Sequence, residues 1–131
     1  MRIPMVFEPT FARDSIWCTE IKRGMTRVMH VQKYEALLIP GEHYRTYDYE
    51  ALFAPGGARL LILCGTSPSW LRPALLFFRE RGIGVLLVDG YPNAAPYVAG
   101  QVTFDYRAGM AQALACLRAR GCRGAGRRLL P

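Results

Sequence analysis

The chain has 131 residues, of which 51% are apolar and 21% charged, and a net charge of +7. That length and balance describe one globular domain with a core of its own and exclude a disordered polyelectrolyte. No apolar run reaches the roughly 18 to 20 residues that cross a bilayer, and the stretch from Met1 to the charge at Glu8 is too short for the apolar region of a signal peptide, so the expected compartment is the cytoplasm.

Residues 3–7 predict a first strand. Pro4 has no N–H to donate, which favours an edge strand or the first residues of a strand. A loop over 8–15 follows, in which Asp14 or Ser15 can cap a helix. Ile21, Met25, Val28 and Met29 then form a single apolar stripe at helical spacing. Gly24 inside that helix costs about 1 kcal/mol relative to alanine, which points to close packing on a sheet. Residues 36–39 predict the second strand, ended by Pro40-Gly41. Between 41 and 57, Tyr44, Tyr47 and Tyr49 with Leu52 and Phe53 suit a short second helix packed on the sheet, or a stacking platform for bases or sugars.

Residues 60–64 predict the third strand. The loop after it, Gly65-Thr66-Ser67-Pro68-Ser69, carries hydroxyls and backbone N–H groups that can hold an anion or a polar ligand. It lacks the Gly-Lys-Ser/Thr of a phosphate-binding loop and the second glycine of a nucleophile elbow. Ser69 can cap a helix bearing Leu71, Ala74, Leu75 and Phe78. The unbroken apolar run 85–88, between Gly82-Ile83-Gly84 and Asp89-Gly90, reads as a strand buried on both faces. Residues 101–105 predict a short fifth strand. Residues 106–120 predict a last helix with Met110, Ala113, Leu114 and Leu117 on one face and Gly121 as its stop.

The expected fold is therefore α/β: an open, mainly parallel sheet of about five strands with helices on both faces, Rossmann- or flavodoxin-like. Ligands of such sheets bind at the carboxyl ends of the strands. The domain spans 1–121, and a basic tail occupies 122–131. Arg118, Arg120, Arg123, Arg127 and Arg128 crowd this end, either as a phosphate-contacting tail or as cations suited to a helix C-terminus. Cys18, Cys64, Cys116 and Cys122 show no metal-ligand spacing, and only His30 and His43 are available to join them. Neither a metal nor a cofactor is expected, and no nucleophile–base pair stands out that would make the chain an enzyme.

Three patches resemble the sugar-sensing domain of LacI/GalR-type transcription regulators, which shares its fold with type 1 periplasmic binding proteins. Asp14-Ser15-Ile16-Trp17-Cys18-Thr19-Glu20-Ile21-Lys22-Arg23-Gly24 is similar to the family's Ser-Asn-Pro-Phe-Phe-Ala-Glu-Ile-x-x-Gly. Gly82-Ile83-Gly84-Val85-Leu86-Leu87-Val88-Asp89 resembles Gly-Ile-Pro-Val-Val-x-Ile-Asp. Val102-Thr103-Phe104-Asp105-Tyr106-Arg107-Ala108-Gly109, with Ala113, Leu117 and Gly121, resembles Val-x-x-Asp-Asn-x-x-Gly-x-x-x-Ala-x-x-x-Leu-x-x-x-Gly. The resemblance covers the first lobe only, in the element order β-α-β-α-β-α-β-β-α. It implies a sensor without catalysis, truncated, with the second lobe and the DNA-binding domain outside the chain.

The same resemblance implies a small-molecule effector, expected to be a sugar, and a homodimer that meets DNA only through a domain absent here, with no membrane contact. It implies that Trp17 stacks on the ligand ring and that Asp14 and Ser15 face the cleft. Thr66, Ser67, Asp89 and Asp105 would meet ligand hydroxyls. Each has a plainer role open to it: Trp17 in the core, Asp14 and Asp105 as helix caps, Asp89 as a turn residue. The alternative function is a small flavodoxin-like enzyme that binds a nucleotide or phosphate at 65–69.

Overall fold

The computed structural model describes residues 1–14, 16–91 and 93–122, with all their side chains except those of Phe11, Ala12, Asp14 and Ala95. Five strands form one sheet: β1 (Arg2–Phe7), β2 (Glu35–Pro40), β3 (Leu60–Gly65), β4 (Gly84–Asp89) and β5 (Gly100–Val102). Their order is β2-β1-β3-β4-β5 and every pairing is parallel. The helices are α1 (Pro9–Asp14), α2 (Ile16–Val31), α3 (Pro68–Glu80) and α4 (Tyr106–Ala119). This is the open α/β sheet that the apolar runs predict. Strand order reverses between β1 and β3, so the connections leaving these two strands diverge to opposite faces and open a crevice at their carboxyl ends.

Alternation along each strand divides the core in two. On one face Val6, Ile39, Leu61, Leu63, Val85 and Leu87 pack against α3, whose Leu71, Ala74, Leu75 and Phe78 recur at helical spacing. On the other face Met5, Phe7, Ile62, Cys64 and Val88 pack against Cys18 and Met29 of α2, with Ile21 and Met25 partly buried beside them. The α3 face is the thicker of the two, because the chain between β2 and β3 folds over it. The sequence suggests a short helix there. The chain instead makes a 3₁₀ turn at Gly41–His43 and a series of turns.

Aromatic packing accounts for that irregular stretch. Tyr44 and Tyr49 are buried against Phe78, with ring centroids 5.8 and 5.3 Å away. The Tyr49 hydroxyl donates to the Tyr44 carbonyl at 2.7 Å, a bond that holds the turn without a helical ladder. Burial, followed by the neighbouring Tyr44 and Tyr47, raises the Tyr49 phenol well above its ordinary range. Of the two roles open to the tyrosines, packing is the one the structure displays.

Four further expectations are corrected. Pro4 lies in a central strand, but ahead of the β1–β3 ladder, which begins at Met5, so its missing donor is tolerated. The predicted loop at 8–15 is largely helical, because Pro9 pre-sets the backbone of the first turn of α1. Gly24 does not mark close packing: a Cβ placed there would meet nothing within 4 Å. β5 ends at Val102 instead of 105, since Phe104 turns onto Trp17 and Asp105 caps α4.

Phe78 links the sheet, α3 and the tyrosine turns. Phe78→Ala is expected to destabilise the fold by about 3–5 kcal/mol, read from the shift of a urea unfolding curve.

Candidate functional site

The carboxyl ends of β1, β3, β4 and β5 bring together residues distant in sequence. β1 delivers Glu8, whose N–H donates to the Cys64 carbonyl at 2.8 Å and so fixes it beside the end of β3. Its carboxylate oxygen Oε2 accepts the backbone N–H groups of Thr66 at 2.8 Å and Ser67 at 3.2 Å. Glu8 is almost wholly buried. A buried carboxylate needs such partners, and the two N–H groups at the start of α3 provide them together with the favourable end of the helix dipole. Gly65 permits the approach: a Cβ there would stand 2.8 Å from both the Cβ and Oε2 of Glu8.

This clamp changes the role expected for the loop 65–69. α3 starts at Pro68, and Ser67 occupies the capping position without a capping bond from its side chain. The Ser67 and Ser69 hydroxyls bond to each other at 2.8 Å instead. An anion seeking the N–H groups of Thr66 and Ser67 would have to displace Glu8. The Thr66 side chain remains exposed at the rim, with Ser67 half-buried beside it.

β4 delivers Asp89, buried and in the left-handed region at φ 70°. Its carbonyl accepts from Gln101 Nε2 at 2.9 Å, and the next N–H, of Gly90, donates to the Gly65 carbonyl at 2.7 Å. Burial raises the Asp89 carboxyl above its ordinary value. Tyr106 is raised by desolvation and then by the Asp89 charge, which puts its phenol within electrostatic reach of that carboxylate. Asp89, Gln101, Thr103, Phe104 and Tyr106 line a depression of about 370 Å³.

Trp17, at the start of α2, stands at the edge of this group. Its ring meets Phe104 edge-on at 4.8 Å, and Phe104 lies 5.9 Å from the Tyr106 ring. Half of the Trp17 surface remains exposed, so the indole is a rim residue and not part of the core. Asp105 is spent on α4: its Oδ1 accepts the Ala108 N–H at 2.9 Å, the capping role. The Asp14 side chain and the whole of Ser15 lie outside the described residues, as do Arg123, Arg127 and Arg128 of the tail.

The structure thus places Thr66 and Ser67 just beyond the Gly65–Asp89 strand pair, links Trp17 to the Asp89 depression through Phe104, and assigns Asp105 to the helix. It adds Glu8, Gln101, Phe104 and Tyr106, which sequence reasoning missed. Glu8 had a readable signal: it directly follows an apolar strand, as Asp89 does. Gln101 and Phe104 had none, since only the β4–β5 pairing brings them to the depression.

Chemically the rim offers acceptors, an amide, a phenol and aromatic faces. Cys64 is no nucleophile at neutral pH, because burial first, and then Cys18, Asp89 and Glu8, push its thiol up to about 12. Among the described residues no group of three His, Cys, Asp or Glu side chains is placed to hold a metal ion. None of their helices is long and apolar enough to cross a membrane. Compared with protein-family models, with curated proteins and with solved structures, the chain matches none.

Glu8→Ala leaves two N–H groups without their acceptor and is expected to destabilise by about 1–3 kcal/mol. Glu8→Gln, which retains an oxygen acceptor, should lose less, and parallel urea curves distinguish them. Asp89→Asn tests the buried charge. A carboxyl raised in the folded state favours folding when protonated, so that contribution is present below about pH 3.9 and is lost as pH rises through the folded pKa. The variant should therefore melt higher than the parent at pH 7, with the difference vanishing at pH 3, in thermal scans at both values.

Proposed function

We propose that the chain is the first ligand-sensing lobe of a LacI/GalR-type regulator, a binding module with a sugar as its effector and no catalytic role. The observation that carries this reading is the half-exposed Trp17 indole in edge contact with Phe104, which lines the strand-end depression together with Asp89 and Gln101. A flat aromatic surface suits the C–H face of a pyranose or furanose, and carboxylate, amide and hydroxyl groups suit its OH groups. In this reading the depression of about 370 Å³ beside Asp89 is one wall of a cleft. In this reading the opposite wall and the DNA-binding part belong to units outside residues 1–131, and closure of two walls on the ligand supplies the signal. The reading includes a homodimer and the cytoplasm as the working compartment.

In this scheme Trp17 stacks, while Asp89, Thr66 and Ser67 orient the hydroxyls. Glu8 acts one step back, holding the β3–α3 loop so that the Thr66 hydroxyl projects from a fixed backbone. The flavodoxin-like alternative draws no support from the loop 65–69, since Glu8 already takes the N–H groups a phosphate would need.

The test is thermal unfolding of the full chain against a panel of pentoses and hexoses, with flavin and adenine nucleotides alongside. One sugar should raise the melting temperature, and Trp17→Ala should abolish the shift while leaving the unliganded melting temperature within a few degrees. Stabilisation by a nucleotide and by no sugar would overturn the reading.

A further inference from the structure

On the α3 face, away from Trp17, the helix and the chain after β4 bound a cavity of about 430 Å³, a volume in the range of small-molecule sites. Arg72, Leu75, Leu76, Tyr91, Asn93 and Tyr97 line it. Arg72, Leu75, Leu76 and the neighbouring Arg79 recur at i, i+3, i+4 and i+7, so one stripe of α3 forms a wall. The opposite wall runs from Tyr91 to the 3₁₀ turn Ala95–Tyr97, which packs on α3. Of the lining residues, Tyr91 alone also borders the depression beside Asp89.

The fold fixes both walls. Ala94 is fully buried, its N–H donates to the Tyr91 carbonyl at 3.2 Å, and its carbonyl accepts from the Tyr97 N–H at 2.9 Å. The Arg72 guanidinium lies over the Tyr91 ring, 5.4 Å from its centroid, and that of Arg79 lies over Tyr97 at 5.9 Å. These contacts tie each tyrosine to α3. Tyr91 is the buried floor, while Leu76 (55% exposed) and Tyr97 (50% exposed) leave apolar surface at the mouth.

The charge in this cavity is unmatched. Ion pairs among the described residues join Arg2 to Glu35, Arg23 to Glu20 and Arg59 to Glu50, and none engages Arg72. No carboxylate lines the cavity. A molecule that fills it strips water from the guanidinium and has to return acceptors of opposite charge. Two phenol rings and two leucines call for a flat apolar body. A single lining cation suits the single charge of a carboxylate, and a guanidinium matches its two oxygens with paired donors. We propose that the cavity binds a small aromatic carboxylate, whose oxygens accept from Arg72 while its ring rests between Tyr91 and Tyr97 on Leu76. Asn93, at the rim, offers an amide to a polar substituent on that ring. Trp17 takes no part in this site, so a protein blind to every sugar would still bind the carboxylate.

The experiment is an NMR titration of the backbone amides of the full chain with benzoate, para-hydroxybenzoate and phenylacetate, and with neutral benzamide. At least one carboxylate should shift the amides of Tyr91, Asn93 and Tyr97 saturably, and benzamide should not. Arg72→Gln is expected to raise the dissociation constant about 10-fold or more. Tyr97→Ala should raise it as well, whereas Trp17→Ala leaves it unchanged. Should Arg72→Gln fail to unfold cooperatively in urea, Arg72→Lys keeps the charge, loses the paired donors and should still weaken binding. Failure of all three carboxylates to saturate overturns the proposal. So does benzamide binding as tightly as benzoate, and so does an Arg72 variant that binds like the parent. Loss of binding in Trp17→Ala also overturns it, by moving the ligand to the Asp89 rim.

Discussion

An all-parallel sheet has to be covered on both faces, because its strands are apolar toward both. In this chain that constraint is met in full on one side and in part on the other. The α3 face is closed by a helix and by a tyrosine-anchored run of turns that does the work of the helix missing between β2 and β3. Phe78 touches both components, so this half of the core behaves as a single packed unit. The α2 face has one helix for five strands. Its uncovered apolar strip and the uncovered apolar helix α4 are two expressions of the same shortage.

The candidate site follows from the same sheet. Strand order reverses between β1 and β3, and in open α/β folds such a crevice receives the ligand. Here the N–H groups at the start of α3, which such a crevice would offer a ligand, are taken by the Glu8 carboxylate. The accessible polar surface is thereby moved along the edge, toward Asp89, Gln101 and the Trp17–Phe104–Tyr106 aromatics. A preformed anion site is a poor description of this rim, because Glu8 already takes the N–H groups an anion would need. Cys64, lying beneath Glu8 and Asp89 and held as a neutral thiol, adds no chemistry to it.

Trp17 and Phe104 connect the two themes. Their contact, with ring centroids 4.8 Å apart, sits beside the Asp89 depression and two residues before α4 begins.

The sequence by itself determined the strands, the parallel sheet and the end of the sheet that carries polar groups. Runs such as 60–64 and 85–88 are unbroken apolar segments of strand length ending at Gly65 and Asp89, the pattern of strands in a parallel sheet, although burial on both faces is incomplete, since Leu60 and Leu86 stay exposed. It also placed the stripe of α3 and the extent of α4 to within a residue, because helical periodicity is local. It missed the helical turn at Pro9, mistook the turns at 41–57 for a helix and assigned Gly24 to a contact it does not make. Each of these depends on what lies across the fold: Tyr49 bonding back to Tyr44, Phe78 beneath both rings, open solvent beside Gly24. The site shows the same division. Asp89, Thr66, Ser67 and Trp17 were legible as polar or aromatic residues at strand and helix ends. Only the tertiary structure could decide that Glu8 is a clamp and Asp105 a cap. It alone brought Gln101 and Phe104 to the rim and left α4 without a cover. Hydrogen-bond partners and exposure are set by neighbours far away in sequence, and no local pattern encodes them.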